Sequence, residues 1–382
     1  MKFIHTADWH LGRQFHNVSL IEDQRHLLEQ LVTLAKETGA EAFVIAGDVF
    51  DRAVPNPEAV ALLDDFHAEM VLRLEIPVIM IAGNHDSPGR LGFGSRLFRK
   101  AGVFVYGQVE AAPQSLVLRD AWGPVHFFGL PYAEPAVVRD RTGESDVHNH
   151  EQALMRLAIA AREQVPKGER SVCIAHCFAA GGKESESERP LSVGGSGSVS
   201  PKCFEGFSYT ALGHLHRPQG VGDRIRYSGS LMKYSFSEIP HNKSASIVTI
   251  DGTGDVEVAE YPLQPPRDLR MIEGELAELV RGPAPGENPD DFLLVRLTDR
   301  KALLDPMGRL REVYPNVLHI ERTGLEKASA KALEAREPGL GDRELFAAFF
   351  EEVTGEALAD EEAEAFVEVY EELRRAEREA HS

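Results

Sequence analysis

Residues 1–12 read MKFIHTADWHLG and combine a short apolar run with two side chains that can bind metal. The run at 2–6 predicts a buried strand, and Asp8 and His10 follow directly after it. In extended backbone, residues i and i+2 lie on one face, so both side chains can reach the same cavity. This stretch therefore predicts an α/β fold whose functional side chains follow strand ends.

Four more motifs follow predicted strands in the same way. Glycine precedes three of the polar residues and permits the tight turns that aim the next side chain into a site. The motifs are AGDVFD at 46–51, AGNHDS at 82–87, IAHC at 174–177 and LGHLH at 212–216. Because loops at the carboxyl ends of strands form the ligand sites of α/β sheets, we expect all five motifs to meet.

The segments between these motifs predict an α/β layered core with mixed sheets flanked by helices. Helical spacing occurs at 20–38 and again at 57–74. The predicted strands lie at 2–6, 42–46, 76–82, 125–130, 171–175, 208–212, 225–228, 245–250 and 256–262. The Gly- and Ser-rich stretch 182–202 predicts a mobile loop.

Pro265-Pro266 marks the end of this core, which we predict to span 1–264 as the catalytic domain. Residues 265–337 predict a small α+β domain, and 338–382 predict a helical hairpin that binds a partner. The elements predicted there are strands near 270–275, 292–298 and 317–321 and helices at 343–354 and 360–378.

The net charge of −20 argues against a nucleic-acid partner, but its distribution weakens that objection. Residues 336–382 alone carry 15 acids and 5 bases, which is half of the net charge. Bound cations would also add positive charge at the site, and local charge decides contact with DNA. The acidic C-terminal segment can face away from DNA.

Three features of the sequence limit the class of protein. The start does not read as a signal peptide, and the apolar runs are far shorter than the roughly 18 residues of a membrane span, so we expect a cytoplasmic protein. Cys173, Cys177 and Cys203 include no C-x-x-C pair and are interpreted as small buried hydrophobes. Gly181-Gly182-Lys183 is followed by Glu184, which fails the P-loop pattern, so any ATP dependence must come from a partner.

The ligand set mixes carboxylate, amide and imidazole groups, which suits manganese, iron or zinc better than magnesium or calcium. Two metals about 3.5–4 Å apart need a ligand that touches both, and a carboxylate is suited to bridging. Asp48 is the candidate bridge. A lone D-x-H is usually a solvated loop, but five such motifs in order, each after a strand, form a specific pattern.

Through all five motifs the sequence resembles the calcineurin-like metallophosphoesterases. Within that family it is similar to the SbcD-type nuclease subunits of bacterial double-strand-break repair complexes. The nearer likeness is carried by HTADWHLG, IAGDVFD, AGNHDS, LGHLHRPQ and the YSGS segment at 227–230 that leads into KYSFSE. It covers nearly the whole chain, although the C-terminal domains match in layout more than in motif.

The resemblance implies two divalent metal ions, with Mn²⁺ expected. The implied ligands are Asp8, His10 and His216 for one metal, Asn84, His176 and His214 for the other, and Asp48 as the bridge. His85 would face the scissile phosphate, stabilise the transition state and protonate the leaving oxygen, while Asp86 would orient its imidazole. Asp51 could contact substrate or a metal-bound water, but the favoured interpretation is a cap of the next segment.

The resemblance also implies a metal-dependent DNA nuclease, with double-strand exonuclease and single-strand or hairpin endonuclease activity, in DNA repair, recombination and replication. It implies that 265–337 is a capping domain that recognises DNA. It also implies an SbcC-like ABC-type ATPase with a coiled coil as partner, bound by the C-terminal helices. The wide apolar surface of 57–74 and the resemblance both predict a homodimer, giving a two-plus-two heterotetramer that associates with the nucleoid when on DNA.

Two other functions remain open at this point. The same metal centre could serve a protein phosphatase, a nucleotidase or a cyclic nucleotide phosphodiesterase, because a fold does not decide its substrate. A binding protein with an inactive site is the second alternative, and the intact ligand set argues against it. The extra C-terminal domains and the YSGS segment favour the nuclease.

Several basic residues are candidates for DNA contact. The segment between Asp86 and Glu110 contains no acid, so its bases could follow a DNA backbone. A solvated surface is the competing interpretation. The candidates are Arg90, Arg96, Arg99, Lys100, Arg189 and Lys202. Trp9 and Phe15 could stack on a base, but core packing is the favoured role for both.

Overall fold

A computed structural model describes residues 1–188, 197–299, 303–323, 341–354 and 357–380. The chain divides into two compact units, Met1–Asp268 and Leu269–Ser382. The strands of the two large sheets of the first unit are β1 (Lys2–Thr6), β2 (Ala42–Ile45), β3 (Val78–Ile81), β4 (Val103–Tyr106), β5 (Leu116–Asp120), β6 (Gly123–Leu130), β7 (Arg170–His176), β8 (Tyr209–Gly213), β9 (Gln219–Gly220), β10 (Ile225–Tyr227), β11 (Ser244–Ile250) and β12 (Val256–Pro262).

The helices of this unit are α1 (Ile21–Thr38), α2 (Pro57–His67), α3 (Pro88–Leu91), α4 (Ser95–Phe98), α5 (Pro135–Thr142) and α6 (His150–Arg162). Helix α1 ends at Gly39, whose left-handed backbone lets its N–H reach the carbonyl of Lys36. Helix α2 begins at Asn56, whose side chain accepts from the N–H of Ala59, and it continues as a π-helical segment over Ala68–Arg73.

Two six-stranded sheets form the core of the first unit. The first has the order β12-β11-β1-β2-β3-β4, in which β1 to β4 are parallel and β11 and β12 are antiparallel. The second has the order β9-β10-β8-β7-β6-β5, with parallel central strands and an antiparallel strand at each edge. Apolar side chains of both sheets meet in one buried cluster that includes Phe3, Ile79, Phe127 and Ile174.

Helices cover the outer faces of this sandwich. On the second sheet, α6 packs Leu154 and Leu157 into a cluster with Phe128 and Leu212. On the first sheet, the ring of Phe66 from α2 lies 5.2 Å from that of Phe43 in β2. The predicted fold class, a layered α/β core with mixed sheets and flanking helices, is confirmed.

The second unit contains a small parallel sheet and two C-terminal helices. Its strands are β13 (Leu269–Gly274), β14 (Phe292–Leu297) and β15 (Val317–Arg322), in that order, and its shorter helices are α7 (Leu276–Leu279) and α8 (Pro306–Arg311). The longer helices are α9 (Asp342–Thr354) and α10 (Asp360–Ala380). They pack through the stacked rings of Phe346 and Phe366, whose centroids are 3.9 Å apart.

All the predicted strands occur, with small shifts at their ends. The sequence analysis did not predict α6 or β4, although both lie in the core. The predicted loop at 182–202 lies partly outside the described residues; within it, a two-residue strand covers Ser198–Val199 and a 3₁₀ helix covers Pro201–Phe204.

The three cysteines are free and buried, as predicted. Within the described residues, no helix is long and apolar enough to cross a membrane.

Candidate metal centre

The five motifs meet where neighbouring strands end. The N–H of Asp8 donates to Gly47 O at 3.0 Å, and that of His10 donates to Asp48 O at 3.0 Å, which joins the loops after β1 and β2. The N–H of His214, after β8, donates to the two carboxylate oxygens of Asp8 at 2.9 and 3.1 Å. This last contact joins the two sheets, so ligands from both can face one cavity.

Four of the predicted ligands have left-handed backbone conformations. The φ angles are 53° at Asp8, 45° at His10, 48° at Asp48 and 108° at His214. Residues with a Cβ rarely adopt such angles, and each costs about 1–3 kcal/mol unless the surroundings enforce it. Strained residues of this kind are concentrated at functional sites.

Two glycines are required by the closeness of these loops. A Cβ on Gly83 would lie 2.1 Å from Asp48 Oδ1, and one on Gly213 would lie 2.0 Å from Ala46 O. Both distances are far below van der Waals contact. The glycines before Asn84 and His214 therefore allow the strand ends to approach one another. The sequence analysis assigned these glycines only a role in tight turns.

One group of ligand atoms comes from Asp8, His10 and His216. Their side-chain oxygen and nitrogen atoms lie within 4.8 Å of one another, and all three residues are buried. The Nε2 atoms of the two imidazoles are 3.1 Å apart. Nitrogens that bind one ion at about 2.1 Å and at right angles would be separated by about 3.0 Å. This separation therefore fits two rings directed at one ion.

A second group surrounds Asp48. Its Oδ2 lies 3.5 Å from His176 Nε2 and 3.7 Å from His10 Nε2, so one carboxylate oxygen reaches both groups. Asn84 Oδ1 lies 2.9 Å from His176 Nε2 and 3.3 Å from His214 Nδ1. The residues that the resemblance implies for the second metal therefore lie close together, and Asp48 Oδ2 lies within 3.7 Å of a candidate ligand from each group.

Burial and charge set the protonation of the side chains at this centre. Burial raises the pKa of Asp8 to about 7, and burial lowers the pKa of His214 to about 3. Burial likewise holds the pKa of His10 well below its usual range. Both imidazoles are therefore neutral at pH 7, which is the form that binds metal. Burial alone would lower the pKa of His176, but the charge of Asp48 raises it to about 9, so this ring must lose a proton before it can bind a metal.

Within the described residues, two ring nitrogens of the centre lack a hydrogen-bond partner, although in each ring it is the other nitrogen that faces the candidate ligands. His10 Nδ1 and His214 Nε2 are buried, and neither has a hydrogen-bond partner within the part of the chain that the structure describes. Buried polar atoms are seldom left without a partner. Imidazole nitrogens, carboxylates and one amide oxygen converge here, so the residues present fit divalent ions with mixed nitrogen and oxygen ligands.

His85 is half-buried at this centre, but the structure corrects the role predicted for Asp86. The Nδ1 of His85 lies 2.9 Å from the main-chain carbonyl of Asp51. The Asp86 carboxylate instead accepts from the N–H groups of Val49, Phe50 and Gly83 at 2.9–3.0 Å. Asp86 therefore holds the loops after β2 and β3 together, and the Asp51 carbonyl takes over the orientation of the ring.

The favoured interpretation of Asp51 as a cap is also wrong. Helix α2 is capped by Asn56, whose Oδ1 accepts from Ala59 N at 2.7 Å. The Asp51 carboxylate instead pairs with Arg13 at 3.2 Å and lies 3.8 Å from His10 Nδ1. A cap needs a free helix N–H within reach, whereas a cation and an imidazole face this side chain.

A buried polar cluster behind His216 was missed. His216 Nδ1 lies 2.7 Å from Ser187 Oγ and 3.1 Å from Glu238 Oε1, and Lys243 Nζ donates to His216 O at 2.7 Å. Glu238 lies in the KYSFSE segment, which the sequence analysis used for resemblance without assigning a role to its residues. An acid more than twenty positions from the H-x-H motif gives no local signal of this contact.

The residues weighed for DNA contact lie in different places. Arg90, Arg96, Arg99 and Lys100 are exposed on the segment after β3, and Arg99 stacks on Phe104. Lys202 is exposed on the 3₁₀ helix that packs on α6, and Arg189 lies outside the described residues. Trp9 is fully buried against Phe66, as favoured, and Phe15 is half-buried against Phe236.

Comparison with known proteins shows the family to which the chain is similar. The calcineurin-like phosphoesterase family matches residues 1–167, and the family described as type 5 capsule protein repressor C-terminal domain (SbcD_C) matches 265–354. The SbcD subunit of the nuclease SbcCD from Staphylococcus epidermidis is 34% identical over 319 residues, which is 83% of this chain and 84% of that protein.

A crystal structure of TT1561 from Thermus thermophilus is 15% identical and covers 68% of this chain and 98% of its own. Its TM-score is 0.36, so this likeness supports no further argument.

Proposed function

The chain belongs to the SbcD family of calcineurin-like phosphoesterases, and we propose that it is a DNA nuclease subunit that hydrolyses phosphodiesters at a two-metal centre. The proposed activities are double-strand exonuclease and single-strand or hairpin endonuclease. The observation that carries the proposal is the convergence of Asp8, Asp48, His176 and His216 at the ends of strands from both sheets.

The distances support the ligand roles that the family resemblance implies. Asp8, His10 and His216 would hold one ion, Asn84, His176 and His214 would hold the other, and Asp48 would contact both. When bound, two divalent cations, proposed to be Mn²⁺, activate the attacking water and offset the charge of the phosphoryl group. Asp48 is fixed for this purpose, because its Oδ1 accepts from the N–H of His85 at 2.8 Å.

His85 is the proposed general acid. If its Nδ1–H donates to the Asp51 carbonyl, the remaining nitrogen, Nε2, is free to face the scissile phosphate. The protonated ring can then stabilise the developing charge and donate a proton to the leaving sugar oxygen. Arg13 pairs with the Asp51 side chain and thereby helps to hold the loop that carries this carbonyl.

An assay on two substrate classes tests this function. Chelator-treated full-length protein reloaded with Mn²⁺ should cleave hairpin and duplex DNA much faster than a nitrophenyl phosphodiester, with His85→Ala as the inactive control. Faster turnover of the small ester, with no cleavage of DNA, would favour a nucleotidase or phosphatase. Addition of the ATPase partner tests whether ATP changes the cleavage.

The exposed bases Arg90, Arg96, Arg99 and Lys100 are proposed to contact the DNA backbone. They follow the catalytic loop 84–87 in sequence, and phosphate contacts of this kind fix the position of a duplex without reading its sequence. Removing one such contact should weaken binding to all DNA sequences alike. It should also reduce the slope of log binding constant against log salt concentration by about one. We extend the proposal to Lys202 and Arg189.

A homodimer is proposed through α2, its π-helical extension and the segment 88–103. These elements form an apolar groove of about 710 Å³. Leu72 and Phe93 lie on its wall and expose 72% and 81% of their surfaces. Large exposed apolar patches mark interaction sites. A second copy is the proposed occupant, because a twofold interface buries the same patch on both chains.

Mass measurement in solution tests this interface. The wild-type protein should be a dimer at micromolar concentration, and Leu72→Glu combined with Phe93→Glu should give monomers. Leu304→Glu is the matched control, because Leu304 is 88% exposed but lies in the second unit. A monomeric wild-type protein would rule out this interface.

The proposed partner is an SbcC-like ABC-type ATPase with a coiled coil, in a two-plus-two complex that works on the nucleoid in the cytoplasm. The hairpin of α9 and α10 is the proposed contact, as the last of three domains at 1–264, 265–337 and 338–382. Leu345, Phe349 and Leu373 remain 42–58% exposed on it, although Phe346 and Phe366 stack together. Exposed apolar anchors on short helices suit recognition by a partner helix.

Truncation tests this contact. Deletion of 340–382 should abolish co-purification with the ATPase and leave Mn²⁺-dependent cleavage of short DNA largely intact. Phe349→Asp with Leu373→Asp should have the same effect with the hairpin present, and Leu304→Asp serves as the exposed-leucine control. A truncated protein that still binds the ATPase at full affinity would refute the proposal.

A further inference from the structure

A buried carboxylate lies behind the metal ligand candidate His216. The Nδ1 of this imidazole is 3.1 Å from Oε1 of Glu238, whose side chain has no solvent exposure. The other ring nitrogen, Nε2, faces Nε2 of His10 at 3.1 Å. One nitrogen of the ring therefore points to a carboxylate and the other to the metal centre.

The charge of Glu238 is balanced by Lys243. The Lys243 side chain is 3% exposed, and its Nζ lies 2.5 Å from Glu238 Oε2. The same ammonium donates to His216 O at 2.7 Å and to Ser230 Oγ at 2.8 Å. A buried carboxylate without a cation would be strongly disfavoured as an anion. Lys243 thus keeps Glu238 charged and ties the main chain of His216 to the same cluster.

A hydroxyl completes the cluster. Ser187 Oγ lies 2.7 Å from His216 Nδ1 and also contacts Glu238 Oε1. The main-chain N–H of His216 donates to Glu188 Oε1 at 2.8 Å. The ring of His216 is therefore held at the nitrogen that does not face His10, and its backbone is held by Glu188.

We propose that Glu238 is a positioning residue of the metal centre. It shares the hydrogen bond of His216 Nδ1–H with Ser187 Oγ, whose hydroxyl donates to Glu238, and it is held in place by Lys243. This bond fixes the tautomer in which the Nε2 lone pair is free to bind the metal. It also makes the imidazole a stronger ligand, and loss of such a partner typically lowers metal affinity by about 10–100-fold. The inference rests on the proposed two-metal centre and adds an acid that binds neither metal nor substrate.

A purely structural ion pair is the competing explanation. Glu238 and Lys243 could simply stabilise the turn between Ser230 and Ser244. The two explanations predict different effects on metal affinity. A structural pair affects the melting temperature of the metal-free protein, whereas a positioning residue changes the affinity of one metal and leaves the other unchanged.

Calorimetric titration of chelator-treated full-length protein with Mn²⁺ separates them. We expect two sites in the wild-type protein, and in Glu238→Gln one site that is about 10–100-fold weaker beside an unchanged second site. Glu238→Asp keeps a charge for Lys243 but draws the carboxylate away from the ring, so we expect the same weakening. This variant also covers the case in which Glu238→Gln fails to fold.

Glu169→Gln is the matched control. Glu169 makes a similar contact with a histidine, 2.5 Å from His126 Nε2, but it precedes β7 at the end remote from His176. It should leave both Mn²⁺ affinities unchanged. Two sites of unchanged affinity in both Glu238 variants, with a lower melting temperature, would overturn the positioning role and leave the proposed function intact. A wild-type protein that binds no Mn²⁺ would overturn both.

Discussion

Substitution of Asp86 by Asn distinguishes the role predicted from the sequence from the one found in the structure. The Asp86 carboxylate accepts from three buried N–H groups, with Oδ2 2.9 Å from Gly83 N and 3.0 Å from Val49 N and Oδ1 2.9 Å from Phe50 N. Asparagine has one acceptor oxygen, and its amide NH₂ would face at least one of these donors. The change therefore removes hydrogen bonds and leaves the outline of the side chain almost unaltered.

The loss in free energy of unfolding caused by Asp86→Asn follows from the hydrogen bonds that it removes or weakens. One lost bond to a charged acceptor and two weakened ones amount to about 3–6 kcal/mol. Burial, and then the nearby charge of Asp48, raise the pKa of Asp86 to about 6, so removal of the charge offsets part of this loss. We expect a net destabilisation of about 2–4 kcal/mol. In a domain of this size that lowers the melting temperature by about 5–15 °C.

Thermal unfolding of the metal-free protein and elemental analysis of the reloaded protein measure the two effects. Asp86→Asn should melt early and bind less than two equivalents of Mn²⁺, because Val49 and Phe50 directly follow the bridging residue Asp48. Asp305→Asn is the control, because Asp305 caps α8 through Gly308 N and Asn caps equally well. Unchanged melting and metal content, with a shifted pH profile of cleavage, would refute this reasoning and restore the imidazole-orienting role.

Two further predictions concern the metal centre, and a third concerns the ion pair of Asp120 with Arg170. His85→Ala should keep both metals and lose about 10²–10⁴-fold in cleavage rate, and loss of metal on elemental analysis would make it a ligand instead. Asp48→Ala should lose both metals and His10→Ala mainly one, so loss of a single metal from the Asp48 variant would contradict the bridge. Hydrogen bonding to Arg170 holds the pKa of Asp120 well below its usual range, so this pair stabilises above about pH 4 and loses its effect as pH falls. Asp120→Asn should therefore cost about 3–5 kcal/mol in urea unfolding at pH 7 and progressively less below pH 4, and an equal cost at both pH values would contradict the pairing.

The strands and the ligand residues could be predicted because their signals are local. Each core strand is a short apolar run, and each ligand motif follows such a run within a few residues, as His176 follows Ile174. The carboxyl ends of parallel strands then bring the motifs together without knowledge of the remaining structure. Strand β4, with the sequence VFVY, was missed because an apolar run of this length fits a strand or a buried helix equally well.

The partners of these ligands could not be predicted because they are distant in sequence or belong to the main chain. Asp86 is adjacent to His85, which suggested a contact between their side chains, but three N–H groups of other loop residues compete for the carboxylate. The acceptor for the ring is a carbonyl of Asp51, and every residue type offers a carbonyl. Glu238 reaches His216 from 22 positions further along the chain, in the segment that leads from β10 to β11.

The left-handed conformations of the ligands link these observations. Strained backbone at Asp8, His10, Asp48 and His214 costs about 1–3 kcal/mol at each residue, so the surrounding contacts must offset several kcal/mol. The carboxylates of Asp8 and Asp86 do so, because they accept main-chain N–H groups of the neighbouring loops. The residues that face the metals and the residues that hold their loops are therefore parts of one hydrogen-bonded unit. For this reason we expect substitution of Asp86 to lower stability and metal content together, although its carboxylate is fully occupied by main-chain donors.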